Sequence, residues 1–116
     1  MIELKLLDLA EQQDPVAYDE IINKIQNIEL KEDLSTLIYA LSYYPTEPIF
    51  EWIIDWILSG SWEVAHQACL LLDNIDELSG QRVNYAWDKI QAALKSAELE
   101  DWRRDLIEND VLVCFE

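Results

Sequence analysis

Apolar positions recur at intervals of three and four along most of the chain, and a few residues that start or stop helices separate the runs they form. In IELKLLDLAEQQ, Ile2, Leu6 and Leu9, with Leu7 and Ala10, share one side while Glu3, Asp8 and Glu11 take the other, which predicts an amphipathic helix. Asp14 followed by Pro15 predicts the start of a second, because the carboxylate can accept from exposed backbone N–H groups and a first-turn proline loses no hydrogen bond. Within it Ala17, Ile21, Ile25 and Ile28 recur at four, four and three, Asp19, Glu20, Asn23, Lys24 and Asn27 face away, and the end falls near Asn27. A third helix is predicted from about Lys31 to Tyr44, burying Leu34, Leu37, Ile38 and Leu41 and stopped by Pro45.

Thr46 is expected to cap a fourth helix from Glu47 to Ser59. Its sequence EPIFEWIIDWILS is apolar nearly all round, apart from Glu47, Glu51 and Asp55 at spacings of four, so most of it should be buried. Gly60 is expected to end this helix as a left-handed residue. Ser61 should cap a fifth, with Glu63 in its first turn, making a tight helix-turn-helix. The fifth segment, WEVAHQACLLLD, is expected to bury Val64, Ala68, Leu71, Leu72 and, just beyond it, Ile75. The acidic link DNIDELSG leads to a sixth helix from about Gln81 to Ala97, with Val83, Ala86, Trp87, Ile90 and Leu94 as its apolar stripe. A seventh, from about Glu100 to Glu108, presents Trp102, Leu106 and Ile107. Val111 to Phe115 is an apolar tail that reads equally as a last half-turn or as an extended packing strand.

Two glycines and three prolines are too few turn formers for a sandwich or a barrel. Hydrophobic residues make up 51% of the chain, which argues against disorder despite the charge described below. The expected fold class is therefore all-α, about seven helices in antiparallel pairs, in one domain over residues 1–116. Glu and Asp interrupt the apolar runs well short of the roughly 20 residues that span a bilayer. Met1 to Ala10 lack the order of an export signal, so a cytoplasmic location with reduced Cys69 and Cys114 is expected.

The segment PIFEWIIDWILSGSWEVAHQACLLLDNI is a helix, a tight turn and a second helix that begins Trp62-Glu63-Val64 and continues through Ala65, Ala68, Leu71 and Ile75. It resembles one HEAT-type repeat. A weaker copy lies about thirty residues earlier, with Ile21 to Ile28 as first helix and DLSTLIYAL as second, Leu34 corresponding to Val64 and Ile38 to Ala68. Ala65 stands where a basic residue commonly follows the valine, and Ser61 where an aspartate is usual in the turn. The resemblance implies a HEAT-like right-handed stack.

Little in the sequence points to catalysis or to a cofactor. Gly60 and Gly80 lie too far apart for a phosphate-cradling loop. His66, Cys69 and Asp73 fall roughly along one face of the fifth helix, but three groups on one helix rarely close a tetrahedral metal site, and Cys114 would have to arrive from the far terminus. The same residues read as a half-buried histidine and a core cysteine. No glycine-rich oxyanion turn adjoins Cys69 to make it a nucleophile. Asp73-Asn74-Ile75-Asp76-Glu77 fails as a calcium loop because Ile75 takes a ligand position. The expectation is a protein without catalytic residues, metal or cofactor.

What the sequence leaves to be explained is its acid. Lys and Arg total 8 against 24 Asp and Glu, a formal net charge of −16, which disfavours nucleic acid and anionic bilayers and points to a basic partner. Glu47, Glu51 and Asp55 have no lysine between them, and like charges at this spacing repel by about 0.2–0.5 kcal/mol each. They run beside Trp52 and Trp56, themselves four apart. Two readings stand: the tryptophans are core and the acids their solvated edge, or the two stripes form a binding face on which indoles anchor and carboxylates steer a basic partner. Tyr43 and Tyr44 would extend that face. Asp73, Asp76 and Glu77 lie at and beyond a helix C-terminus, where the dipole disfavours negative charge and a cation is expected. Glu98, Glu100 and Asp101 open the seventh helix beside Arg103 and Arg104 and follow ordinary dipole logic.

A small, acidic, helical chain of this kind resembles bacterial immunity proteins, notably those paired with the toxin domains of contact-dependent growth inhibition systems. The resemblance implies an antitoxin that binds a cognate toxin protein, often a basic nuclease, and covers its substrate-binding cleft. The residues expected at such an interface are Glu47, Glu51, Trp52, Asp55, Trp56, Asp73, Asp76 and Glu77. The alternative is a HEAT-like adaptor or regulatory subunit that holds a peptide or another protein. An enzyme with a helical active site around His66 is a third class.

Overall fold

Helix follows helix through the chain in the computed structural model, which describes residues 4–26, 34–75 and 77–115. Seven α-helices occur among the described residues, and no strand: α1 Leu4–Glu11, α2 Pro15–Gln26, α3 Leu34–Leu41, α4 Phe50–Ser59, α5 Trp62–Leu71, α6 Gly80–Leu94 and α7 Asp101–Leu106. Lys31 and the predicted end at Asn27 lie outside the described residues, as do Ile2 and Ile28.

Two predicted starts have the expected chemistry. Asp14 Oδ1 accepts from the backbone N–H groups of Val16 (2.8 Å) and Ala17 (3.2 Å) at the first turn of α2. Ser61 Oγ accepts from Val64 N (3.3 Å) at the start of α5, and Ser79 does the same for α6. Two other expectations fail. Thr46 does not cap the fourth helix: its hydroxyl turns inward and donates to the Leu71 carbonyl (2.7 Å), satisfying an orphan acceptor at the end of α5 instead. The run it precedes opens with a 3₁₀ turn, Glu47–Ile49, before α4 begins. Gly60 is extended (φ −77°, ψ 170°), not left-handed; space requires the glycine, because a Cβ there would lie 2.6 Å from both Trp56 O and Val64 Cγ1.

Helix ends elsewhere are tighter than the apolar pattern suggests. α3 stops at Leu41 and continues to Tyr44 through i→i+3 bonds, Ser42 to Tyr39, Tyr43 to Ala40 and Tyr44 to Leu41. α6 ends at Leu94, short of Ala97. The tail is helical: α7 runs into a π turn, Ile107–Val111, and then a 3₁₀ turn, Leu112–Phe115.

α4 sits in the middle, burying Phe50, Ile53, Ile54 and Ile57. It packs on α5 and α6; α5 also packs on α3 and α7, and α1, α2 and α3 contact one another. Ala10, Ala17, Ala40, Ala65, Ala68 and Ala86 are almost wholly buried, and these small side chains let the helices approach closely. One core results, closed at its C-terminal end by Leu106, Ile107 and Val111. The molecule measures 42 × 30 × 21 Å, twice as long as it is thick. No helix among the described residues is long and apolar enough to cross a membrane.

Candidate functional site

The acidic edge of α4 is built against cations that arrive from α6. Arg82 forks onto Glu51, Nε to Oε2 and Nη2 to Oε1, both at 2.8 Å. It also bonds the Glu47 carboxylate, and Nη2 donates to the Glu47 carbonyl at 2.7 Å. Its guanidinium stands 5.6 Å from the centre of the Phe50 ring. Two turns along α6, Lys89 Nζ reaches Asp55 Oδ1 at 3.0 Å while lying 4.9 Å from the centre of the Tyr85 ring. Hydrogen bonding to Arg82 lowers the Glu51 pKa below the ordinary carboxylate value and correspondingly raises that of Arg82. The hydroxyl of Tyr85, and then Asp55, raise the Lys89 pKa. The repulsion between like charges along α4 is thus offset across helices, although exposed pairs of this kind contribute little to stability.

Trp52 and Trp56 are half-buried. Their rings lie 5.9 Å apart, and with Asp55 they border a shallow cavity of about 240 Å³ against Ile25 and Gln26 of α2. Tyr43 and Tyr44 do not extend the face. The Tyr44 hydroxyl donates to the Asp14 carbonyl (2.7 Å), its ring meets that of Tyr18 edge-on, and the Tyr43 carbonyl accepts from Gln13 (3.0 Å), so the pair fastens the end of α3 to the α1–α2 junction.

The second acidic group divides. Asp73 borders a cavity of about 470 Å³ between α5 and the C-terminal segment, whereas Glu77 borders a different one of about 300 Å³ lined by Phe50, Leu72, Ile75, Leu78, Val83 and Phe115. Both are exposed, and no ion pair among the described residues involves either. Asp76 lies outside the described residues.

On α5, His66 Nδ1 is 2.7 Å from the Trp62 carbonyl, and its ring stacks on Trp62 with centroids 4.0 Å apart and approaches Trp102 at 5.8 Å. Burial pushes the Cys69 thiol up to about 12, so its thiolate is scarce at neutral pH. Among the described residues, no three His, Cys, Asp or Glu side chains are grouped to hold a metal ion.

No protein-family model, curated protein or solved structure matches this chain. Function must therefore be argued from the residues themselves, and the cations that sequence reasoning missed matter most. Arg82 and Lys89 are seven apart, about two helical turns, which puts both on one side of α6, and that spacing was their one signal. Arg103 was read only as a local partner for the acids opening α7, yet it is buried and donates to the carbonyls of Ile57 (2.6 Å) and Gly60 (2.7 Å) at the end of α4. Trp87, assigned to the apolar stripe of α6, is exposed and meets Phe115 at 5.9 Å.

Proposed function

We propose that this chain is an immunity protein that binds a cognate basic toxin domain, in its favoured form a nuclease, and covers the substrate-binding cleft with an acidic face. The carrying observation is electrostatic. The chain has a formal charge of −16, and three of its scarce cations, Arg82, Lys89 and Arg103, are already engaged by Glu47, Glu51, Asp55 and Glu100. Outside these pairs the chain carries twenty carboxylates against five cations, so the charge left to face a partner is predominantly acidic. Such a surface repels phosphates and attracts a cleft built to hold them, and its carboxylates take the places of substrate phosphates. Trp52 and Trp56 offer apolar anchors beside acids that Arg82 and Lys89 hold in place, while Asp73 and Glu77 add charge with no ion pair among the described residues. The place of action is the cytoplasm.

The test is co-expression with the protein encoded by the adjacent reading frame, followed by association kinetics at low and high salt. We expect a one-to-one complex that protects cells and whose association slows by about tenfold or more as salt rises. In E47Q/E51Q/D55Q association should slow, whereas W52A should speed dissociation. Absence of a complex, or association indifferent to salt, overturns the reading.

A second reading is supported by the packing order. Contacts of α3 with α5, α5 with α7 and α4 with α6, beside the α4–α5 pair itself, put alternate helices side by side, as a HEAT-like stack would also do. A stack of that kind suits an adaptor, and a stable complex with a non-toxic partner, without protection from the adjacent gene product, would select it.

A further inference from the structure

α5 leaves one large aliphatic side chain, Leu70, exposed where it lines a groove. Leu70 is 59% exposed and Val113, across the groove in the C-terminal 3₁₀ turn, is 54% exposed. Between them runs the cavity of about 470 Å³, with buried Leu106 among its lining residues, His66 on the α5 wall, and Asp73 and Asp110 at its edges. The volume suits one or two large apolar side chains. Two exposed aliphatic residues lining one concavity keep apolar surface in water at a cost that a partner's side chain would relieve.

The charge around the groove is one-sided in a way the sequence makes absolute. No Lys or Arg occurs from Ser61 to Gln81 or after Arg104, and those two stretches supply both walls. The α4 edge differs, since Arg82 and Lys89 neutralise much of it. At the groove, Asp73 and Asp110 stand beside exposed apolar side chains, and among the described residues no cation pairs with them.

We propose that the groove between α5 and the C-terminal helical segment is a docking site for an amphipathic basic protein segment, whose apolar side chain enters between Leu70 and Val113 while flanking lysines or arginines meet Asp73 and Asp110. This face is distinct from the α4 edge, and the inference does not depend on the partner being a toxin.

The probe is a short fluorescein-labelled amphipathic helix made of leucine and lysine, titrated into the full chain and followed by anisotropy, with amide shifts mapped by NMR. Shifts should cluster on both walls of the groove. L70Q/V113Q should weaken binding about tenfold or more, with unchanged circular dichroism because both side chains are already more than half exposed. A lysine-serine peptide of equal charge should bind at least about tenfold more weakly, and a leucine-glutamate peptide should not bind. E47Q/E51Q/D55Q should bind as the wild type does, which separates failure here from failure of the toxin reading. Equal binding of the leucine-lysine and lysine-serine peptides, or undiminished binding to L70Q/V113Q, overturns the proposal by leaving only the general acidic field. Self-association abolished by L70Q/V113Q also overturns it, by giving the groove to a second copy of the chain.

Discussion

Arg103 is 4% exposed, a position where a guanidinium is stable only when acceptors surround it. They do: Glu100 takes Nε (2.9 Å) and Nη2 (3.0 Å), while Nη1 and Nη2 reach the Ile57 and Gly60 carbonyls, which the end of α4 leaves without helical partners. The cation also lies 4.4 Å from the centre of the Trp102 ring. Arg103→Met should cost about 2–3 kcal/mol in urea denaturation, toward the lower end for a buried pair because Glu100 regains water while the Ile57 carbonyl does not. Arg103→Lys should recover only part, since an ammonium cannot fork between carboxylate and carbonyls. Hydrogen bonding to Arg103 holds the Glu100 carboxyl down at about 2, against an ordinary 4.5. A depressed folded pKa contributes stability that is fully present above 4.5 and is lost as pH falls from there toward 2. Glu100→Gln should therefore flatten the acid limb of a stability–pH curve in that window, and an unchanged limb would show that Arg103 does not set it.

At the scale of elements, the α4–α5 turn and the start of α6 make a matched pair of tests. A methyl at Gly60 would meet the Trp56 carbonyl, which belongs to the helix backbone and has little freedom to move, so Gly60→Ala should destabilise by about 1–3 kcal/mol. A methyl at Gly80 meets nothing within 4 Å in the first turn of a helix, so Gly80→Ala should stabilise by about 0.4–1 kcal/mol, both read from thermal melts. The contrast also marks what the sequence could reveal. That Gly60 ends α4 was legible from the pattern; its reason was not, because the obstruction depends on where Val64 sits after the chain turns. Asp14, Pro15 and Ser61 were readable because a cap is a bond between near neighbours. Thr46, Tyr44, Arg82 and Arg103 were not, because their partners lie 25 to 46 residues away and no local rule points to them. The same holds for the candidate faces. Spacing shows that Trp52 and Trp56 share a side, but only packing reveals that α6 neutralises the acids beside them and that Leu70 and Val113 remain uncovered.

For the whole molecule the question is whether the internal ion pairs or the uncompensated acid dominates. Two like charges about 20 Å apart in water repel by only ~0.2 kcal/mol, yet the number of such pairs grows as the square of the excess. With a net charge of −16 in a body 42 × 30 × 21 Å, many carboxylates repel one another at distances that low salt does not screen, since the Debye length at 0.01 M is about 30 Å. At 0.15 M it is about 8 Å, and charges on opposite sides no longer interact. Salt also weakens the pairs at Arg82 and Lys89, but these are exposed and contribute little, while the buried Arg103 pair is screened least. Relief of repulsion should win. Raising NaCl from 0.01 to 0.15 M is expected to lift the Tm by about 4 °C or more, and a fall would mean that the few cations stabilise the fold more than the excess acid strains it. A rise has a functional corollary: neutralisation by a basic partner would act on the fold as salt does, so the free chain stores repulsion that capture releases, and the bound protein should melt higher by more than its contact area alone would give.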